Sequence, residues 1–101
     1  MTLLYHFDWD ANKARSNQSK HAVSFRLATT VFRDTLSITI YDDEHSEFEE
    51  RWVTIGRAEN GQILVVVHTF TVVNPTTINV RIISARCADK QEVRDYEETP
   101  R

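Results

Sequence analysis

The chain has only one cysteine, Cys87. It can form no internal disulfide, and a metal site built from several thiolates is excluded. A lone thiol also fits a reducing compartment. Long apolar runs are missing too. The longest, Ile63 to Val67, has five residues, against the roughly 20 that a membrane helix needs. Near the N-terminus, Leu3, Leu4 and Tyr5 give way at once to His6, Asp8 and Asp10, too short a run for a signal peptide. These absences predict a soluble, cytoplasmic protein with no membrane partner. Internal repeats and low-complexity segments are also lacking, so 101 residues read as one domain, 1–101, around one core. A chain of this size buries roughly two-thirds of its unfolded surface.

A surplus of basic charge is absent as well. Net charge is −3, whereas binding to phosphate draws on Lys and Arg. The acidity is local: residues 31–50 hold Arg33 against seven acids, while residues 1–30 and 51–101 balance at +2 and +1. A nucleic-acid site is therefore permitted at the two ends.

What is present is patterned as α+β. Leu3 to Phe7 alternates as a strand, and Asp8 or Asp10 can cap a polar surface helix over Ala11 to Ser19. Lys20 to Val23 breaks the pattern. Ser24 can cap a second helix carrying Phe25, Leu27, Ala28, Val31 and Phe32 on one face. From Thr35, Leu36, Ile38 and Ile40 alternate as a half-buried strand, followed by an acidic linker from Asp42 to Glu50. Arg51 to Arg57 reads as a strand, and Asn60-Gly61 suits the positive φ angles of a tight hairpin turn. Ile63 to Phe70, apolar on both faces, reads as a central strand. Asn74-Pro75 marks a turn, and Ile78 to Ala85 is the last strand. Asp89 and Glu92 match a capping box for a helix from Lys90 to Glu97. The predicted order is β-α-α-β-β-β-β-α, an antiparallel sheet with helices packed on it.

Four blocks in this order carry a family likeness. They are Phe7-Asp8-Trp9-Asp10 with Lys20-His21 and Val23-Ser24-Phe25; Asp42 to Gly56; Leu64 to Thr69; and Arg81 to Tyr96. Over about nine-tenths of the chain the set resembles the BrnT family, toxins of type II toxin–antitoxin pairs. The resemblance implies a RelE-like fold and an endoribonuclease that needs no metal or other cofactor and slows translation. It also implies a BrnA-like antitoxin that neutralises the toxin and carries the DNA-binding region, so that DNA is met only through the antitoxin. A homodimer or a 2:2 heterotetramer with the antitoxin fits such a pair. Ala22 stands where the family often has Gly, a small change if φ there is negative. Asp89 replaces a common Thr or Ser and preserves capping, and Phe70 to Val80 is longer and less charged than in many members.

Metal-free RNA cleavage needs a base for the 2′-OH, cations for the phosphorane and an acid for the leaving oxygen. Arg51 and Arg86 are the expected phosphate clamp, because a guanidinium fork stays charged and binds at two points. The alternative is that they pair with nearby acids. Glu50, His21 and Tyr96 are the candidates for proton transfer, with Glu49 beside Glu50 at the end of the acidic linker. Against this, His21 at a helix break often serves as a structural hydrogen bonder, and Tyr96 can simply pack its helix. Lys20, Arg81, Lys90 and Arg94 are the expected RNA-binding cations, although Arg81 could be a partly buried pairing residue. His68 is expected in the core or at its rim, with Trp9 and Trp52 as core anchors and Cys87 as a small packing residue. His45 and Glu49 lie at i, i+4 but lack a third ligand of suitable spacing. A competing role is a non-catalytic module whose acidic segment docks a small basic DNA-binding partner. Direct DNA binding lacks a basic helix.

Overall fold

The computed structural model describes residues 3–100. In chain order these form β1 (Leu4–Trp9), α1 (Ala11–His21), α2 (Phe25–Thr29), a 3-10 turn (Thr30–Arg33), β2 (Ile38–Tyr41), a second 3-10 turn (Asp43–His45), β3 (Trp52–Arg57), β4 (Ile63–Asn74), β5 (Thr77–Cys87) and α3 (Lys90–Glu98). Each helix longer than one turn begins on a side-chain cap that satisfies a backbone N–H left without a helical partner. Asp10 accepts from Lys13 N at 2.9 Å and Ser24 from Leu27 N at 3.0 Å. Asp89 and Glu92 form a full capping box, at 2.8 and 2.9 Å.

The end of α1 corrects an expectation. The helix runs through Lys20 to His21 and stops at Ala22, whose φ is 56° and whose N–H returns to Gln18 O at 3.0 Å. This is a left-handed C-cap, where glycine is favoured. The Ala22 side chain therefore sits in a conformation costing an L-residue roughly 1–2 kcal/mol.

The sheet has five strands in the order β1-β5-β4-β3-β2. It is mixed, not wholly antiparallel: β1 runs parallel to β5, while β2–β3, β3–β4 and β4–β5 are antiparallel. Hairpin-like connections join the later strands. β1 precedes both helices, and a parallel neighbour requires such a crossover connection. β4 lies in the middle, in keeping with its two apolar faces, and Leu64, Val65 and Val66 are all buried. The Ala58–Gly61 turn places only Gly61 at positive φ (90°), so Asn60 does not use the left-handed region.

α1, α2 and the turn after them cover one face of the sheet. There Val23, Phe25, Ala28 and Val31 pack on Leu64, Val66, Val80, Ile82 and Ala85. A bulge at Val67/His68 lets Ile82 and Ala85 share that face despite their odd spacing. Gly56 permits the close approach, since a Cβ there would lie 3.1 Å from the Cβ atoms of Val31 and Ser37. Asn17, the buried residue of the otherwise polar α1, joins helix to sheet. Its amide donates to Val23 O and Ala85 O at 2.9 and 2.8 Å and accepts from Ala85 N at 3.0 Å.

β2 is shorter than expected and reversed in facing. Thr39 turns inward to Thr54, while Ile40 is 55% exposed. Trp9 is also largely exposed, Trp52 is half-buried, and Cys87 is exposed and not packed. α3 covers one end of the second face. Arg57 stands 5.9 Å from the Tyr96 ring centroid, and Arg86 pairs with Glu92. The other end of that face is left open.

Candidate active site

Strand alternation puts Arg51, Thr69 and Arg81 on the open face, because their neighbours Trp52, His68 and Ile82 point to the helix-covered side. The register sets them in a row: Trp52 pairs with His68, Thr69 with Arg81, and Arg81 with Asp8 on β1. The linker then folds back onto the row. Ser46 Oγ accepts from Arg51 N at 3.0 Å, and Asp42 N donates to Arg51 O at 2.8 Å. This closure carries Glu49 between two guanidiniums. Arg81 donates to one carboxylate oxygen, and Arg51 lies 3.5 Å from the other. The Arg81 hydrogen bond, helped by the charge of Arg51, holds the Glu49 carboxyl below its ordinary range against the opposing effect of partial burial.

Beside this trio runs a groove of about 310 Å³, lined by Glu49, Glu50, Thr69, Phe70, Thr71 and Arg81. Among the described residues, Arg51 Nε is buried without a hydrogen-bond partner. Two guanidiniums converging on one anion suit a carboxylate or a phosphate alike, and here the Glu49 carboxylate fills the place. No group of three or more His, Cys, Asp or Glu side chains among the described residues is disposed to hold a metal ion.

Apart from Glu50, the other expected residues lie elsewhere. Arg86 does not converge with Arg51. It sits five residues along β5 from Arg81, four register steps on β4, about 13 Å at strand spacing. There it grips Glu92 with both terminal nitrogens, at 2.7 and 2.9 Å, and this pairing raises its pKa further. Tyr96 is buried and donates its hydroxyl to Asp34, which makes it an anchor for α3 and removes it from proton transfer. His21 and Lys20 end α1 on the opposite, helix-covered side, exposed and remote from the arginine row. Distance across the sheet separates them from the site. Glu50 is exposed at the groove. Lys90 and Arg94 are exposed on α3, with Arg94 held to Gln91 at 3.4 Å. His45 is paired with Asp42 at 3.0 Å.

His68 is buried as expected, but its wiring could not be read from the sequence. Nδ1 donates to Thr69 O at 3.1 Å, so Nε2 accepts from Thr54 Oγ1 at 2.7 Å, and Thr54 in turn accepts from Thr39 at 2.8 Å. Burial lowers the His68 pKa to about 4, partly opposed by the Thr69 carbonyl. Sequence reasoning also missed Glu49 as the meeting point of Arg51 and Arg81, because 32 residues separate it from Arg81. The available signal was a Glu at the linker's end with an Arg two residues later.

Comparison with known proteins agrees with this architecture. No curated protein matches the chain by sequence. Among solved structures, the Brucella abortus ribonuclease toxin BrnT matches with a TM-score of 0.52 at 26% identity, over 89% of this chain and 99% of that one. A family model described as the ribonuclease toxin BrnT of type II toxin–antitoxin systems matches residues 9–92. The chain, with its arginine row on an open sheet face, belongs to the BrnT family.

Proposed function

We propose that this protein is a metal-independent endoribonuclease, the toxin of a type II toxin–antitoxin pair, which cuts RNA in the cytoplasm and so inhibits translation. The observation that carries this is the convergence of Arg51 and Arg81 on one exposed-face anion. The scissile phosphate displaces Glu49 from the two guanidiniums, which then stabilise the charge that builds up on phosphorus. Displacement also removes the cause of the depressed Glu49 pKa. Glu49 thereby recovers enough basicity to take the 2′-OH proton, with Glu50 beside it at the groove. The 2′ oxygen attacks phosphorus, the 5′ oxygen leaves with a proton from solvent, and a 2′,3′-cyclic phosphate remains. Lys90 and Arg94, exposed on α3, hold flanking phosphates.

On this proposal the fold is RelE-like, and the partner is a BrnA-like antitoxin through which alone the pair reaches DNA. The assembly is a homodimer or a 2:2 complex with the antitoxin. The test is to incubate partner-free protein with RNA in excess chelator and to analyse the ends. Cyclic or 3′-phosphate ends that vanish in Arg81→Ala are expected. Intact RNA, alongside an active ribonuclease toxin as control, would rule the enzyme out. A second role, a partner-docking module without catalysis, is favoured by the pairing of all three arginines with acids, Arg51 and Arg81 with Glu49 and Arg86 with Glu92. It predicts that expression of the chain alone leaves growth unchanged.

A further inference from the structure

The sheet ends on β1, and its free edge is unguarded. β5 is the one strand beside β1, and α1 packs over β5. Leu4 N–H donates to Thr76 O at 2.7 Å. In a parallel ladder alternate residues bond to the neighbour, so Leu4, His6 and Asp8 turn their backbone groups to β5. Tyr5, Phe7 and Trp9 turn theirs outward. Such an edge templates pairing with another chain unless Pro, Lys or a bulge blunts it, and β1 has none of the three. Its side chains are exposed as well, except the half-buried Phe7.

The edge is complementary to itself. Tyr5, Phe7 and Trp9 lie on the helix-covered face, against Phe32 and Phe25, while His6 and Asp8 lie on the open face beside Arg81. When two copies run antiparallel about Phe7, Tyr5 meets Trp9, Phe7 meets Phe7, and His6 meets Asp8. The three outward-turned residues exchange their backbone bonds in that register. His6 and Asp8 fall at non-hydrogen-bonded positions, where Cα atoms are about 4.5 Å apart and side chains are closest. An imidazole N–H donates to a carboxylate whether or not the ring is charged. Among the described residues, neither His6 nor Asp8 has an ion-pair partner in its own chain. Sliding by two residues sets His6 against His6 or Asp8 against Asp8, and sliding by one turns every side chain to the wrong face.

We propose that the occupant of this edge is a second copy of the chain, joined β1 to β1 with His6 of each copy against Asp8 of the other. The two sheets then run on as one, with both open faces on the same side. Each row of Arg51, Thr69, Arg81 and Asp8 is continued by His6 of the other copy. The two Arg81 Cα atoms come within about 16 Å, three strands across and two residues along. One face thus presents two arginine rows to a single RNA strand. That use rests on the ribonuclease reading, whereas the pairing of the edges does not.

Sedimentation velocity of the partner-free chain at rising concentration reads the pairing without RNA, so its outcome is separate from whether the chain cuts. A reversible monomer–dimer equilibrium is expected. His6→Asp sets carboxylate against carboxylate at both symmetry-related pairs and should weaken the dimer about tenfold or more. Asp8→His, which removes the carboxylate, should weaken it too. His6→Asp combined with Asp8→His restores unlike partners and should return the dimer to within about threefold of the wild type, with the circular dichroism unchanged throughout. A chain that stays monomeric, one that grows past the dimer, or a double variant no better than His6→Asp would overturn the proposal.

Discussion

Lowering the pH from 7.5 to 5 tests the burial of His68 directly. The unfolded chain protonates this imidazole near its ordinary value of about 6.5. The folded chain does so only near about 4, chiefly because the ring is buried, with Phe32 edge-on at 4.9 Å. Between those values the unfolded state holds a proton that the folded state lacks, so stability must fall as pH falls. Integrated over the whole window, the loss is about 3 kcal/mol, a large part of the roughly 5–15 kcal/mol that holds a domain folded. His6, His21 and His45 are exposed, whereas His68 is buried. Asp34, Glu49 and Glu92 have depressed pKa values. Their contribution is present above the ordinary carboxylate range and is lost only as pH falls through and below it. The slope between pH 6.5 and 5 therefore belongs to His68. Urea unfolding at half-unit pH steps measures it, and His68→Gln should flatten it, because a neutral amide has nothing to titrate. A wild-type stability that stays level from pH 7 to 5, or a His68→Gln protein that keeps the slope, would refute the buried neutral imidazole.

Three further outcomes are expected. Arg81→Ala should lower RNA cleavage by about 100-fold or more, as for loss of a preorganised donor to a transition-state anion, while the urea midpoint stays within the roughly 0.5 kcal/mol of a surface change. Arg81→Lys should restore little, since an ammonium cannot reproduce the fork. Ala22→Gly should stabilise the protein by about 1 kcal/mol by relieving the left-handed Cβ, raising Tm by about 4–8 °C in a calorimetric scan. Glu92→Ala removes half of the capping box and the partner of Arg86 together. It should cost about 1–2 kcal/mol of unfolding free energy, and an unchanged denaturant midpoint would show that α3 is held by other contacts.

Local signals carried most of the fold. Asp10, Ser24 and Asp89 each cap the helix their sequence context promised, and the apolar run of β4 went to the centre of the sheet. What the sequence hid was everything decided by distant partners. β1 alternates equally well whether its neighbour is β2 or β5, so its parallel seat could not be inferred. The facing of β2 depended on whether Thr39 or Ile40 met β3, and the hydroxyl won because Thr54 and His68 offered it a hydrogen-bonded chain. Ala22 looked harmless because φ is not written in a residue's name.

The site was legible in its residue types and illegible in its pairings. Arg51 and Arg81 share a carboxylate, and that occupation does not disqualify them as a phosphate clamp. The ion pairs of Glu49 are partly exposed, with 47% of the Arg81 side chain open to solvent, and such pairs are worth about 0–1 kcal/mol. In the proposed reaction an incoming phosphate therefore displaces the carboxylate at little cost. Arg86 differs in kind. It binds Glu92 at two points, and Glu92 also caps α3, so freeing Arg86 would unfasten a helix. The same guanidinium chemistry thus serves binding where its partner sits on a loop and structure where its partner starts a helix. On the proposed function, that difference puts the reacting phosphate at the Arg51–Arg81 end of the sheet.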